Sequence, residues 1–315
     1  MSEAFVAPTL VTGGAGYLGT ELVSRLLELG NEVVIVDDLS TGTWPPPKGS
    51  KARFVHLDLR DRDATLAMMR DVQPQRIFHL AALHFIPACV TDPSRTLAIN
   101  VIGTQHLLDG CGELGTPPAL VFTSTADVYA PQLEPHHESS PAAPDNVYGL
   151  SKYVGEQLLA QSARKGHCAP VVARLFNLYG PGETNPHVIP EIVSQLRSGN
   201  VLRLGNTSPR RDYVYVADAA AALIALSRAA PAGTKWNVGT GKSYSVQEVI
   251  DTIGTLLGRV LTTERDPARY RESDRMNLQS DPTAIRSLDP TLLHTDLSEG
   301  LRSLLEHEGF LPTYA

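Results

Sequence analysis

Thr9-Leu10-Val11-Thr12-Gly13-Gly14-Ala15-Gly16-Tyr17-Leu18-Gly19 is the stretch on which the fold of this 315-residue chain turns. Its first four residues read as a short buried strand. Glycines at 13, 16 and 19 follow at once, and residues 21–29 then read as a helix that stops at Gly30. Strand, glycine turn and helix together make a dinucleotide loop. One glycine allows the tight turn, another lets the backbone approach a pyrophosphate, and the third lets helix and strand pack closely. The helix N-terminus favours the negative charge.

Outward from the loop the alternation repeats. Segments 32–37, 54–57, 76–80, 120–124 and 170–175 read as strands, and 64–70, 100–112 and 147–164 as helices. The strands are continuously apolar, which predicts a parallel sheet covered on both faces. The expected fold class is α/β, a Rossmann-like doubly wound parallel sheet with a smaller mixed α/β substrate-binding domain. Residues 1–175 form the nucleotide-binding domain, with 214–242 returning to it as a strand at 214–216 and a helix at 218–229. Residues 176–213 and 243–315 form the substrate side. Proline-rich segments 43–50 and 131–144 are expected as surface loops.

Hydrophobic residues are 42% and charged residues 19%, with a net charge of -7. That balance is ordinary for a soluble globular chain and argues against nucleic acid or an anionic membrane as partner. No apolar run approaches the ~20 residues of a membrane span, and no signal peptide is visible. Cys89, Cys111 and Cys168 lack metal-ligand spacing, so reduced thiols in a cytoplasmic protein are expected. His136-His137 has no third ligand nearby, and no metal is expected.

Asp37 ends the second strand. A carboxylate there accepts hydrogen bonds from an adenosine ribose and repels a 2′-phosphate, which favours NAD over NADP. Asp58, after the third strand, is either an adenine ligand or a loop acid. Leu80-Ala81-Ala82, after the fourth, leaves room for a flat cofactor. Asn100 is either a cofactor contact or a helix N-cap.

Tyr148 and Lys152 lie one helical turn apart, on one face. A phenol near pKa 10 is a poor base at neutral pH. A neighbouring ammonium and a cationic nicotinamide lower it toward the range that general acid–base catalysis needs. The 120–124 strand leads to Ser124-Thr125, whose second hydroxyl can bridge Tyr148 and a reacting oxygen.

These motifs, with Asn100-Val101-Ile102-Gly103-Thr104, Arg174-Leu175-Phe176-Asn177, Arg211-Asp212-Tyr213 and Arg271-Glu272-Ser273-Asp274, carry a resemblance over nearly the whole length. The chain resembles the extended short-chain dehydrogenase/reductase superfamily, in its nucleotide-sugar epimerase/dehydratase branch. The resemblance implies Thr125, Tyr148 and Lys152 as the catalytic set. It implies cofactor contacts at Gly13, Gly16, Tyr17, Leu18, Gly19, Asp37, Asp38, Ser40, Thr41, Gly42, Asp58, Leu59, Leu80, Ala81, Ala82 and Asn100. Substrate contacts are implied at Asn177, Val188, Leu202, Leu204, Arg211 and Arg271, the arginines clamping a diphosphate. His84 and His187 stand where the branch's 4-epimerases carry lysine and asparagine, and each is either a substrate donor or structural.

The dehydratases of the branch place Asp-Glu after the catalytic hydroxyl. Here Ala126-Asp127 lacks the first acid, which resembles the 4-epimerases, while Asp127 departs from them. The expected reaction is NAD-dependent C4 epimerisation of a UDP-hexose through a 4-ketose, in a homodimer. The alternatives are a 4-ketosugar reductase, a UDP-glucuronate 4-epimerase or decarboxylase, and a catalytically silent NAD-binding sensor or scaffold.

Overall fold

The computed structural model describes residues 8–42, 52–269 and 275–312. In chain order the first half holds β1 (Thr9–Thr12), α1 (Tyr17–Glu28), β2 (Val33–Asp37), β3 (Ala52–His56), α2 (Arg62–Val72), β4 (Arg76–His79), α3 (Ile86–Thr91), α4 (Pro93–Leu97), α5 (Gly103–Gly112), β5 (Ala119–Thr125), α6 (Val147–Arg164) and β6 (Ala169–Leu175). The second half holds β7 (Asn177–Tyr179), α7 (Val188–Leu196), β8 (Val201–Leu204), β9 (Arg210–Tyr215), α8 (Val216–Ala229), β10 (Lys235–Val238), β11 (Ser243–Ser245), α9 (Val246–Leu257), β12 (Thr262–Arg265), β13 (Asn277–Leu278), α10 (Thr283–Leu288) and α11 (Leu297–His307).

Seven strands form one sheet in the order β10-β6-β5-β4-β1-β2-β3, and every pair in it is parallel. The continuous apolar runs are explained by burial on both faces. One face carries α1 and α8, with Leu22, Leu26, Ala219 and Leu223 in its core; the other carries α2, α5 and α6, with Met69, Leu107 and Leu159. A third core beneath α7, α9 and α11 gathers Ile192, Leu202, Val249, Ile253 and Leu301.

Two expectations change. Of the strand read at 214–216, Val214 and Tyr215 end β9, which lies in a separate small sheet with β7, β11 and β13, and Val216 begins α8. It is β10 that joins the seven-strand sheet, while α8 packs on its face. The 131–144 segment is not wholly a surface loop. His136 is fully buried, stacked on Tyr129 at 4.6 Å, and backbone hydrogen bonds to Gln279 and Asp281 tie it down. The 43–50 loop and Arg271 lie outside the described residues.

Candidate active site

Strand order reverses about β1, whose neighbours are β2 and β4. In such sheets a ligand crevice opens at the carboxyl ends of the strands beside that reversal. Gly13 leaves β1 there at φ +71, and a Cβ on it would stand 2.6 Å from the Ala81 backbone nitrogen. A Cβ on Gly19 would run into the Gly13 carbonyl, and one on Gly42 would meet the Ala15 carbonyl at 2.6 Å. Glycine therefore brings the loop, the Leu80-Ala81-Ala82 exit of β4 and α1 into backbone contact. Gly16 is the N-cap of α1; no side chain caps this helix and its first turn holds no acid. Its positive end suits a phosphate. Leu18 is buried on α1, and the buried Tyr17 hydroxyl has no hydrogen-bond partner among the described residues.

Asp37 closes the crevice from β2. Its Oδ2 accepts the Ala15 N–H at 3.0 Å and its Oδ1 the Leu39 N–H at 2.8 Å. Burial raises its pKa, and those two bonds oppose the rise. Each carboxylate oxygen keeps a further lone pair for a ribose hydroxyl. Asp38 accepts from the Ser40 N–H and hydroxyl, in an exposed turn with Thr41. Asp58 is gripped by the Arg60 guanidinium at 2.6 Å, which holds its carboxyl below the usual range. The Leu59 carbonyl faces His106 Nδ1 at 2.9 Å. These residues fit a dinucleotide with an unphosphorylated ribose: a glycine cradle, an open helix terminus and a fixed acid.

Asn100 is not an N-cap. It lies inside a π-helical turn, Ala98–Ile102, between α4 and α5. Its buried amide accepts from the Leu83 N–H at 2.8 Å, and donates to the Leu83 carbonyl and to Ser151 Oγ, both at 2.9 Å. Ser151 Oγ in turn donates to the Tyr148 carbonyl at 2.7 Å. One buried chain of hydrogen bonds thus joins the exit of β4 to the first turn of α6. Thr12, His79 and Thr104 form a second, with contacts of 2.6 and 2.8 Å. Burial first, then Lys152, pushes His79 down to about 3, so its imidazole is neutral.

Helix α6 starts where the sequence places it. Asn146 caps it by accepting the Gly149 N–H at 2.8 Å. A Cβ on Gly149 would stand 2.5 Å from the Asp127 carbonyl, so glycine lets α6 press against the segment after β5. Tyr148 is half-buried there, with its phenol within reach of the Thr125 side chain's influence. Burial and the Asp127 charge push its phenol above the ordinary value, while the Thr125 side chain opposes them. Lys152 is 2% exposed, with Nζ 4.9 Å from the Phe122 ring centroid. Burial draws its pKa down to about 7. The acidification expected from Lys152 therefore does not outweigh burial in the chain alone, because burial also weakens the ammonium.

Ala126 is buried, and Asp127 lies against the Thr125 hydroxyl. Its Oδ2 lies 3.4 Å from Thr125 Oγ1, and its backbone N–H donates to that oxygen at 3.2 Å. Burial raises its carboxyl; Arg275 and Arg211 pull it back. Arg211 donates to the Arg210 and Arg275 carbonyls at 2.9 and 2.7 Å. Arg275, which sequence reading did not single out, pairs with Asp145 at 2.9 Å.

Asn177 opens β7 beside Tyr213 of β9, and Val188 opens α7 against the third core. His84 and His187 come together with ring centroids 6.2 Å apart. Leu202 and Leu204 are 0% and 5% exposed within the third core, the core-facing strand that their spacing allows equally with a nucleobase contact; the alternating face of β8 turns both inward. Ser151 and Arg275 escaped the sequence reading. Ser151 had a signal, its place within Tyr148-Gly149-Leu150-Ser151-Lys152; Arg275 is brought in only by loop packing. Glu183 stands in the 180–187 stretch that the resemblance implies lines the pocket.

Residues 9–239 match the family model described as the NAD dependent epimerase/dehydratase family. A UDP-glucose 4-epimerase of Mycolicibacterium smegmatis is 32% identical over 313 residues, covering 95% of this chain and 97% of that one. The Thermus thermophilus UDP-glucose 4-epimerase, solved with NAD, superposes with a TM-score of 0.86 at 29% identity, covering 96% of this chain and 99% of that one. The Thermotoga maritima enzyme, solved with UDP-glucose, gives 0.86 at 28% identity, covering 95% and 98%. This chain belongs to the NAD dependent epimerase/dehydratase family.

Proposed function

We propose that the protein is an NAD-dependent nucleotide-sugar 4-epimerase acting on a UDP-hexose. The observation that carries the reading is the set of buried Thr125 at the carboxyl end of β5 with half-buried Tyr148 and buried Lys152 on the α6 that packs against it, and alanine at 126 where elimination would call for an acid. Gly13, Gly16 and Gly19 hold the NAD pyrophosphate, and Asp37 holds the adenosine ribose. NAD, when bound, would supply the redox chemistry that oxidises the C4 alcohol and reduces the ketone again.

The chain's own residues manage the proton and the position of the sugar. Thr125 and Tyr148 hold the C4 oxygen between two hydroxyls. Tyr148 takes the hydroxyl proton as the ketone forms and returns it as the ketone is reduced. The phenol is held protonated by burial and by Asp127, so added positive charge is needed to release its proton. Lys152 and the cationic nicotinamide contribute that charge. Positioned proton transfer contributes ~10²–10⁴ in rate; the Asn100–Ser151 tether contributes geometry. Arg211 would clamp the diphosphate, and Asn177 would contact the sugar.

Ile102 and Leu150 are exposed, as are nearby Val90 and Leu97. These apolar positions on the α3–α6 side support a homodimer paired across a two-fold axis, which light scattering would read as twice the chain mass. Cys89, Cys111 and Cys168 are free and buried, which supports a reducing, cytoplasmic setting. Among the described residues no helix is long and apolar enough to cross a membrane.

The test is a panel of nucleotide sugars incubated with purified protein and no added cofactor, with product stereochemistry read at C4. Conversion of a UDP-hexose to its C4 epimer supports the reading. A strict requirement for stoichiometric NADH, with a reduced product, replaces it with the ketoreductase.

A further inference from the structure

The loop between β7 and α7 carries Glu183, Asn185 and His187, and it folds back over His84 in the segment between β4 and α3. One nitrogen of each imidazole and one oxygen of the Glu183 carboxylate all lie within 4.8 Å of one another, and each residue is half-buried. The local hydrogen bonds set the state of these groups. Asn185 Nδ2 lies 3.2 Å from both His84 Nε2 and Glu183 Oε1, and the Asn185 backbone N–H donates to the same carboxylate oxygen at 2.8 Å. An amide donor requires Nε2 of His84 to be the lone-pair nitrogen. His187 is the N-cap of α7 but does not spend its side chain on the cap.

We propose that His84, His187 and Glu183 bind one divalent transition-metal ion of the Zn²⁺ class beside the substrate pocket. Two neutral imidazoles and one carboxylate form a mixed nitrogen/oxygen set that suits such ions; Mg²⁺ and Ca²⁺ prefer oxygen throughout. Bonds of about 2.0–2.2 Å in a tetrahedral site separate ligand atoms by roughly 3.5 Å, so modest side-chain rotation closes the cluster. Three protein ligands leave a position for water or a substrate oxygen. Lys152 acts electrostatically on His84. The inference goes beyond the C4 reaction, and its test reads the metal directly.

Full-length protein, stripped with a chelator, is equilibrated with Zn²⁺ or Co²⁺ and separated from free ion. Bound metal and the visible Co²⁺ spectrum are then measured. One ion per chain is expected, with a low-symmetry Co²⁺ spectrum. His187→Ala and the conservative Glu183→Gln should each lose at least about tenfold in affinity while retaining NAD binding and cooperative unfolding. His137→Ala, which alters an exposed histidine outside the cluster, should bind as the parent does. No stoichiometric ion in the parent protein, or undiminished binding by folded Glu183→Gln, overturns the proposal whatever the sugar reaction proves to be.

Discussion

Replacing Lys152 by methionine tests the electrostatics of the site without relying on any sugar. Lys152 is 2% exposed, and burial draws its pKa from 10.5 to about 7. One pKa step is worth about 1.4 kcal/mol, so confining the full ammonium costs roughly 4–5 kcal/mol. The folded state binds the proton less tightly than the unfolded chain. Stability therefore rises with pH from about 7 up to 10.5, and the penalty is complete below about 7. Methionine keeps the aliphatic length, removes the charge and leaves no titration in that window. Cofactor-free Lys152→Met should exceed the parent by a few kcal/mol near neutral pH, less roughly 1 kcal/mol for imperfect repacking. Its own stability should be flatter from about pH 7 to pH 9. The assay is urea unfolding of both proteins across that range, read by midpoint at constant slope. A variant less stable at every pH, together with a parent whose stability is flat, would show that this side chain does not carry a buried charge and would refute the reasoning.

Three further perturbations address the phenol and its support. Asp127→Asn removes the charge that raises Tyr148, so the ascending limb of the pH–rate profile should move to lower pH, by up to about one unit; a shift to higher pH would contradict the sign. Ser151→Ala breaks the link between Asn100 and the Tyr148 carbonyl and strands a buried amide N–H, costing about 1–3 kcal/mol. Its turnover should fall about tenfold with KM little changed, as a loss of positioning requires. Gly149→Ala would gain about 1 kcal/mol of helix propensity. It would also place a Cβ 2.5 Å from the Asp127 carbonyl, so the net effect should be destabilising by about 1–2 kcal/mol, measurable by thermal unfolding.

The framework was legible because its signals are local. The glycines at 13 and 19 sit where a Cβ collides with backbone, and the apolar runs that became β1, β2, β4, β5 and β6 are buried as parallel strands. The α6 helix was readable as the segment 147–164, and Tyr148 with Lys152 from their spacing. What stayed hidden depends on long-range packing. Asn100 reads alone as an N-cap, and only the approach of Leu83 and Ser151 gives it another task. Leu202 and Leu204 alternate along β8, but alternation does not say whether the inner face meets a ligand or a core. His84, Glu183 and His187 span about a hundred residues with no ligand spacing, and only the fold of the β7–α7 loop assembles them. In the chain alone Tyr148 stands above its ordinary value, because spacing reports the neighbouring charge and not the loss of water around both groups.

The central claim is that Tyr148 moves a proton while the C4 hydride leaves and returns without exchanging with solvent. Purified protein, with no added cofactor, should convert a UDP-hexose deuterated at C4 into its C4 epimer with the deuterium still on that carbon, and Tyr148→Phe should lose this conversion by about 10²-fold or more while remaining folded. Appearance of the label in water, or a Tyr148→Phe variant that turns over at a rate comparable to the parent, would contradict it.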